Sequence, residues 1–158
     1  QWLTLSEKNG WPRVSTLQNE YSLLCRIYDT DLAELSLNEQ VGLIAYSPLA
    51  AGLLTGKYQD NKIPIGSRRS INRELGGRVT PRVWEAIKAY QNIASKYGID
   101  LIHMSLAWCR TRPFMCSAIF GATKLEQLKH ILLSRGVVLT EDCIKEITEA
   151  HRLNPMPF

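Results

Sequence analysis

A chain of 158 residues, 45% hydrophobic and 22% charged, has the size and make-up of one globular domain around a single core. Its net charge of +4 comes from scattered lysines and arginines, which suits a small anionic ligand and argues against nucleic acid as a partner. No apolar run reaches membrane-spanning length and no signal peptide is visible, so no membrane insertion and a cytoplasmic location are expected.

The opening "QWLTLSEKNG" predicts a helix closed by Gly10, and its start without Met is expected of a piece of a longer protein. "VSTLQ" (14–18) predicts a short strand, and "TDLAELSLNEQ" (30–40), with apolar residues at 32, 33, 35 and 37, a short helix. "VGLIAY" (41–46) is a continuous apolar run ended by Tyr-Ser-Pro, the pattern of a strand buried on both faces. Residues 58–79 are rich in Gly, Arg, Asn, Pro and Ser and predict a long, flexible loop; such loops are usually functional or disordered.

"TPRVWEAIKAYQNIASKYG" (80–98) predicts a helix with Thr80 as cap, Pro81 in the first turn, Gly98 at the end, and Val83, Ile87, Tyr90 and Ile93 on one stripe. A second helix, 100–113, is capped by Asp100 and stopped before Pro113, and "CSAIF" (116–120) is a third strand. "TKLEQLKHILLS" predicts a helix, and "TEDCIKEITEAHRL" (140–153) another, with Thr140 as cap and acidic residues where the helix dipole favours them. Strands alternating with helices imply an α/β domain with a parallel sheet, either a small open sheet or a piece of a closed barrel.

Cys25, Cys109, Cys116 and Cys143 follow no CxxC spacing and lie in apolar runs, so free, buried thiols are expected. No two of His103, His130 and His151 share helical ligand spacing; surface or packing roles are expected, and no metal. Trp84 and Trp108 fall on helix stripes and are expected to pack in the core. Arg69, Arg73 and Arg78 are expected to be solvated.

Two stretches could carry chemistry. In "GLIAYSPLAAGLLTGKY" (42–58), Tyr46 at a strand end could stack on a planar ligand, small residues would let a pyrophosphate approach the backbone, and Lys57 adds a positive charge. An ordinary packed turn explains the same spacing equally well. In "FGATKLEQL" (120–128), a strand runs through Gly121 and Thr123 into a helix N-terminus, a natural phosphate site, with Lys124 adding charge and Gln127 on a plausible inner face. Many such junctions bind nothing. In βα barrels, phosphate often sits on the loops after the last two strands, which would put both stretches on one rim.

"NEYSLL", "AYSPLAAGLLTGKY", "GSR", "LAWC" and "GATKLEQL", in this order, together resemble the C-terminal half of an aldo-keto reductase, similar to bacterial reductases and potassium-channel β subunits of that superfamily. The resemblance implies that residues 1–158 are a single domain, the C-terminal part of a (β/α)8 TIM barrel, supplying its sixth, seventh and eighth strands. It implies NADP as cofactor and reduction of aldehydes or ketones to alcohols in a full-length parent. Gln18 resembles the glutamine that contacts the nicotinamide amide, and Tyr46 the aromatic residue stacked on its ring. Ser47, Pro48, Leu49 and Ala50 resemble the loop along the pyrophosphate. Lys57 and Arg68 are similar to basic residues reaching the phosphates, Arg68 within a flap. Gly121, Thr123 and Gln127 resemble the clamp on the adenosine 2′-phosphate. The chain departs from the family at Ile131, where many relatives carry the adenine-binding Asn, at His130, where some carry Glu, and at Phe120, where a smaller or aliphatic residue stands.

The family's catalytic Asp, Tyr, Lys and His come from the first strands, with Asp five residues before Tyr. None of the six tyrosines here has that spacing. The resemblance therefore implies no catalytic residue in this chain and no activity from it alone. The implied partners are NADPH and a small carbonyl substrate in the parent, and the N-terminal half or another copy of the chain. The alternative is a non-catalytic nucleotide-binding or regulatory/interaction module.

Overall fold

A computed structural model describes all residues, Gln1–Phe158. Seven helices and three strands follow one another as α1 (Trp2–Asn9), β1 (Thr16–Glu20), α2 (Leu32–Glu39), β2 (Gly42–Tyr46), α3 (Arg68–Ile71), α4 (Pro81–Lys96), α5 (Leu101–Arg110), β3 (Met115–Ile119), α6 (Leu125–Leu133) and α7 (Glu141–Leu153). Short 3-10 turns lie at Ile27–Asp29, Ala50–Thr55, Gln59–Asn61 and Ser134–Gly136.

The strands form one parallel sheet in the order β1-β2-β3, the expected α/β arrangement of three parallel strands with flanking helices. Register sets Glu20 opposite Tyr46 and Tyr46 opposite Ile119. Side chains alternate across a strand, so Leu43 and Ala45 face the helices and are fully buried. Gly42, Ile44 and Tyr46 face the other way with Gln18, Glu20, Ser117 and Ile119. That face is open: Tyr46 is 39% and Ile119 44% exposed. The expected burial of "VGLIAY" on both faces therefore holds on one face only.

The core lies between the sheet and helices α4, α5 and α7. Trp108 is its largest fully buried side chain, stacked on Tyr21 at 5.2 Å. Beside it, Asp29 accepts from the Tyr21 hydroxyl and from Arg26 Nε, each at 2.7 Å, with Arg112 at 3.6 Å. Burial, then Asp29, raises the Tyr21 pKa and keeps its proton in place for that bond. Tyr90 donates to the Leu23 carbonyl at 2.9 Å and joins α4 to the segment after β1. The predicted stripe of Val83, Ile87, Tyr90 and Ile93 is buried, and Trp84 is partly buried against the core.

Asp100 caps α5 by accepting from the Ile102 and His103 amides, and Thr140 caps α7 through the Cys143 amide. Thr80 does not cap α4. Its hydroxyl donates instead to the Pro157 carbonyl, tying the chain's last residues to the start of that helix.

The segment 58–79 is more ordered in its contacts than its composition suggests. Arg69 is buried, not solvated. Its guanidinium donates to the Arg73 and Lys62 carbonyls and to the Asn61 side chain, and its amide donates to the Tyr58 hydroxyl. Its guanidinium carbon lies 5.1 Å from the Trp84 ring centre. Arg78 is likewise not solvated: its Nε and a terminal nitrogen hold both oxygens of Glu20 at 2.9 and 2.7 Å. Only Arg73 is exposed as expected.

Cys25, Cys109 and Cys143 are buried, but Cys116 is exposed. It is the extra residue where the β2–β3 register shifts between Leu43 and Ile44. A bulge turns an added side chain out of the ladder, which an apolar run does not reveal. Its Cβ lies 2.9 Å from where a Cβ on Gly42 would stand, so glycine is needed there.

Two outcomes follow. Burial raises the Cys25 and Cys143 thiols and pushes Cys109 up to about 12, and the thiolate is the reactive form. A disulfide reagent at mildly alkaline pH should modify one thiol quickly in the native protein and four after denaturation, with Cys116→Ser abolishing the fast phase. Arg69→Met should lower stability by about 1–3 kcal/mol through its orphaned acceptors, and accelerate proteolysis between residues 59 and 77; denaturant titration and limited proteolysis read these out.

Candidate functional site

The C-terminal ends of parallel strands gather loops on one rim, and here two loops leave neighbouring strands at one level. β2 ends at Tyr46, opposite Ile119 near the end of β3. Gln18, two residues before Glu20 on β1, shares the open sheet face with Tyr46. Both Gln18 and Tyr46 are solvent-exposed.

After Tyr46 the chain turns sharply. Ser47, Ala50, Ala51 and Gly52 take positive φ values of 53°, 47°, 56° and 95°. Left-handed backbone costs a non-glycine residue about 1–2 kcal/mol, and such strain gathers at ligand clamps and turns. The turn is held because Pro48, Ala50, Leu53 and Leu54 are buried, while Ala50 donates to the Ser47 carbonyl and both Gly52 and Leu54 donate to that of Leu49. Leu49 itself is half-buried against the core.

Lys57 folds back over this turn. A Cβ at Gly52 would meet its Cε and Nζ at 3.3 Å, and Nζ lies 5.0 Å from the Tyr58 ring centre. The missing side chain at Gly52 thus gives the exposed ammonium room beside the turn. Arg68 is exposed at the start of α3, next to the anchored Arg69.

The second loop follows β3. Gly121 is exposed with nothing near a built Cβ. Gln127 is exposed too, not on an inner face: its Oε1 accepts from the Thr123 amide at 3.0 Å and hydroxyl at 3.2 Å. Both bonds run one way, from Thr123 to Gln127, and tie the residue before the Lys124 cap position to the first turn of α6. Lys124 makes no side-chain cap, so the first-turn amides of α6 keep the capacity to meet an anion, with Glu126 as the one opposing charge. Ile131, one turn beyond Gln127, is buried, whereas His130 is turned toward Asp100 and His103 of α5.

The sequence reading therefore meets in space in two groups, Gln18 with Tyr46–Ala50 and Gly121 with Thr123 and Gln127, on adjacent strand ends. The exposed Tyr46 ring, the tight turn after β2 with Lys57 beside it, and the uncapped N-terminus of α6 after β3 are each of a kind that suits a phosphate-bearing planar ligand. The reading missed the Glu20–Arg78 pair, which ties the long segment to the strand position opposite Tyr46. Its only sequence signal is that Glu20 falls on the same alternate face of β1 as Gln18.

The profile of the Aldo/keto reductase family matches residues 1–152. The chain is 39% identical over 157 residues to protein Tas of Escherichia coli (strain K12), covering 99% of this chain and 45% of Tas. It is 36% identical over 158 residues to an aldo-keto reductase of Babesia bovis, covering 93% and 54%. It is 31% identical over 144 residues to a probable voltage-gated potassium channel subunit beta of Arabidopsis thaliana, covering 87% and 44%. The chain spans about half the length of the curated relatives it matches. No helix is long and apolar enough to cross a membrane.

The turn after β2 yields its own test. Gly52→Ala places a Cβ at φ 95° and against Lys57, and should cost about 1–2 kcal/mol in a denaturant titration while leaving the far-ultraviolet dichroism unchanged.

Proposed function

Because the chain belongs to the aldo/keto reductase family, we propose that it supplies the cofactor-binding half of an NADP(H)-dependent oxidoreductase that reduces aldehydes or ketones to alcohols. The observation that carries this reading is the exposed Tyr46 on the same open sheet face as Gln18, beside a rim that also bears the α6 N-terminus. The reading makes the three-stranded sheet part of a closed barrel, with its open face turned to the interior.

The nicotinamide supplies the hydride for the carbonyl carbon. Tyr46 offers its ring face to a planar group, and Gln18 presents an amide that both donates to and accepts from a carboxamide. The Ser47–Ala50 backbone lines the pyrophosphate, and Lys57 and Arg68 neutralise it. Gly121 leaves room at the start of the second loop. The Thr123 hydroxyl, which now donates to Gln127 Oε1, and the Gln127 side-chain NH2 would donate to a 2′-phosphate near the α6 amides. Ile131 is apolar and turned into the protein, so it would offer adenine no hydrogen bond.

No tyrosine of this chain has an aspartate five residues before it, so the proton donor of the family reaction belongs to another segment. The chain alone binds but does not turn over, and it works with the N-terminal half of a parent or with another copy. A second reading, a nucleotide-binding regulatory module without turnover, draws support from the relatives whose names describe potassium channel β subunits. Segment 58–79 would act as a flap whose turns Arg69 holds to one another and whose end Arg78 ties to Glu20.

Fluorescence titration tests the cofactor. The chain should bind NADPH, Tyr46→Ala should weaken binding about 3- to 10-fold, in line with about 0.5–1.5 kcal/mol for an aromatic stack, and Gln127→Ala should weaken NADPH more than NADH. Absence of NADPH binding defeats the proposal. Robust reduction of an aromatic aldehyde by the 158-residue chain defeats the division of labour and the regulatory reading together.

A further inference from the structure

Away from the Gln18–Tyr46 face, α5 and α6 bring together three side chains that lie far apart in sequence. Asp100 precedes α5, His103 lies in its first turn, and His130 is on α6. One ligand atom from each lies within 4.8 Å of the other two. The His130 Nε2 to Asp100 Oδ1 distance is 3.4 Å, and the imidazole centres are 4.5 Å apart. The absence of paired histidine spacing within one helix concealed this cluster, because it is assembled between helices.

We propose that Asp100, His103 and His130 form a binding site for one divalent transition metal of the zinc class, which fastens α6 to α5. The first support is the tautomer of His103. Its Nε2 lies 2.7 Å from the His130 carbonyl oxygen. A carbonyl only accepts, so Nε2 carries the hydrogen, and a neutral ring then has its lone pair on Nδ1. A carbonyl that fixes the far nitrogen of an imidazole is the usual outer support of a metal-ligating histidine. The second support is distance. Two ligands on a tetrahedral zinc, each at about 2.0–2.1 Å, stand about 3.4 Å apart. His130 Nε2 and Asp100 Oδ1 already have that separation, and rotation of the partly exposed His130 and Asp100 side chains closes the remaining gap to His103, whose ring stays on its carbonyl. The third is the spare capacity of Asp100: Oδ1, the oxygen nearest His130, also serves the α5 cap at 2.8 and 3.2 Å, while Oδ2 carries no hydrogen bond, so the carboxylate keeps lone pairs for a metal without giving up the cap.

Two imidazoles and one carboxylate favour Zn(II), Co(II) or Ni(II) over magnesium or calcium, which take oxygen ligands. Three protein ligands leave a fourth position for water. The site also answers a packing deficit, since Ile131 is the one buried residue of α6. A metal at His130 anchors the helix one turn beyond Gln127.

The imidazole–carboxylate contact and the tilted rings would join the helices without metal, so the test must read metal itself. The metal-free protein is titrated with zinc by calorimetry and with Co(II) by visible absorption, which is intense for four-coordinate cobalt. One ion per chain is expected. His130→Gln and Asp100→Asn should each lower zinc affinity at least about tenfold. Asn retains the helix cap, so the Asp100 variant stays folded, as circular dichroism would verify. Cys116→Ser and His151→Gln should leave uptake unchanged, and zinc should raise the thermal midpoint of the parent chain but not of Asp100→Asn. No uptake, uptake that follows Cys116 or His151, or unchanged affinity in Asp100→Asn and His130→Gln overturns the proposal.

Discussion

The parallel register of the three strands is the constraint on which the molecule depends. It sets Glu20, Tyr46 and Ile119 side by side. The loops after β2 and β3 leave the sheet from that line, and segment 58–79 is tied back to it through Glu20. Parallel pairing also requires each return to cross over the sheet, and the crossovers supply the helices that bury Leu43 and Ala45. The same alternation turns Gln18, Ile44 and Tyr46 to the opposite face. A ligand surface and a core are two sides of one ladder.

Arginines do the fastening that apolar packing does not. Arg26 and Arg112 meet Asp29 beside Trp108, Arg69 gathers the carbonyls of segment 58–79, and Arg78 grips Glu20. A guanidinium can serve several acceptors in one plane and remain charged, so it suits irregular backbone where no ladder satisfies the carbonyls. This explains how a segment rich in glycine and polar residues holds a defined path.

Elements with strong local signals were legible in the sequence. The α4 stripe, the Asp100 and Thr140 caps and the three strands each rest on neighbours within a few residues, where periodicity and capping operate. What escaped depends on long-range pairing. Thr80 reads as a cap until Pro157 arrives to take its hydroxyl. Cys116 reads as buried until the bulge turns it out. Arg69 and Arg78 look solvated because their acceptors are backbone carbonyls and a carboxylate on a distant strand. At the rim, Tyr46 and Gly121 stood out by residue type, but only the register puts the ends of their strands at one level. The family motifs named them in order along the chain, without the geometry.

The Glu20–Arg78 pair also changes the kinetics open to the segment before it. With Tyr58 buried at one end and Arg78 clasped at the other, residues 59–77 form a closed loop, not a trailing arm. The entropy of closure was met during folding, and it grows only slowly with loop length. Arg68, next to the anchored Arg69, is thereby confined to the reach of a loop held at both ends, which raises the effective concentration of its charge within that volume. Loosening the clasp would dilute that charge while leaving Tyr46 and the turn after it as they are.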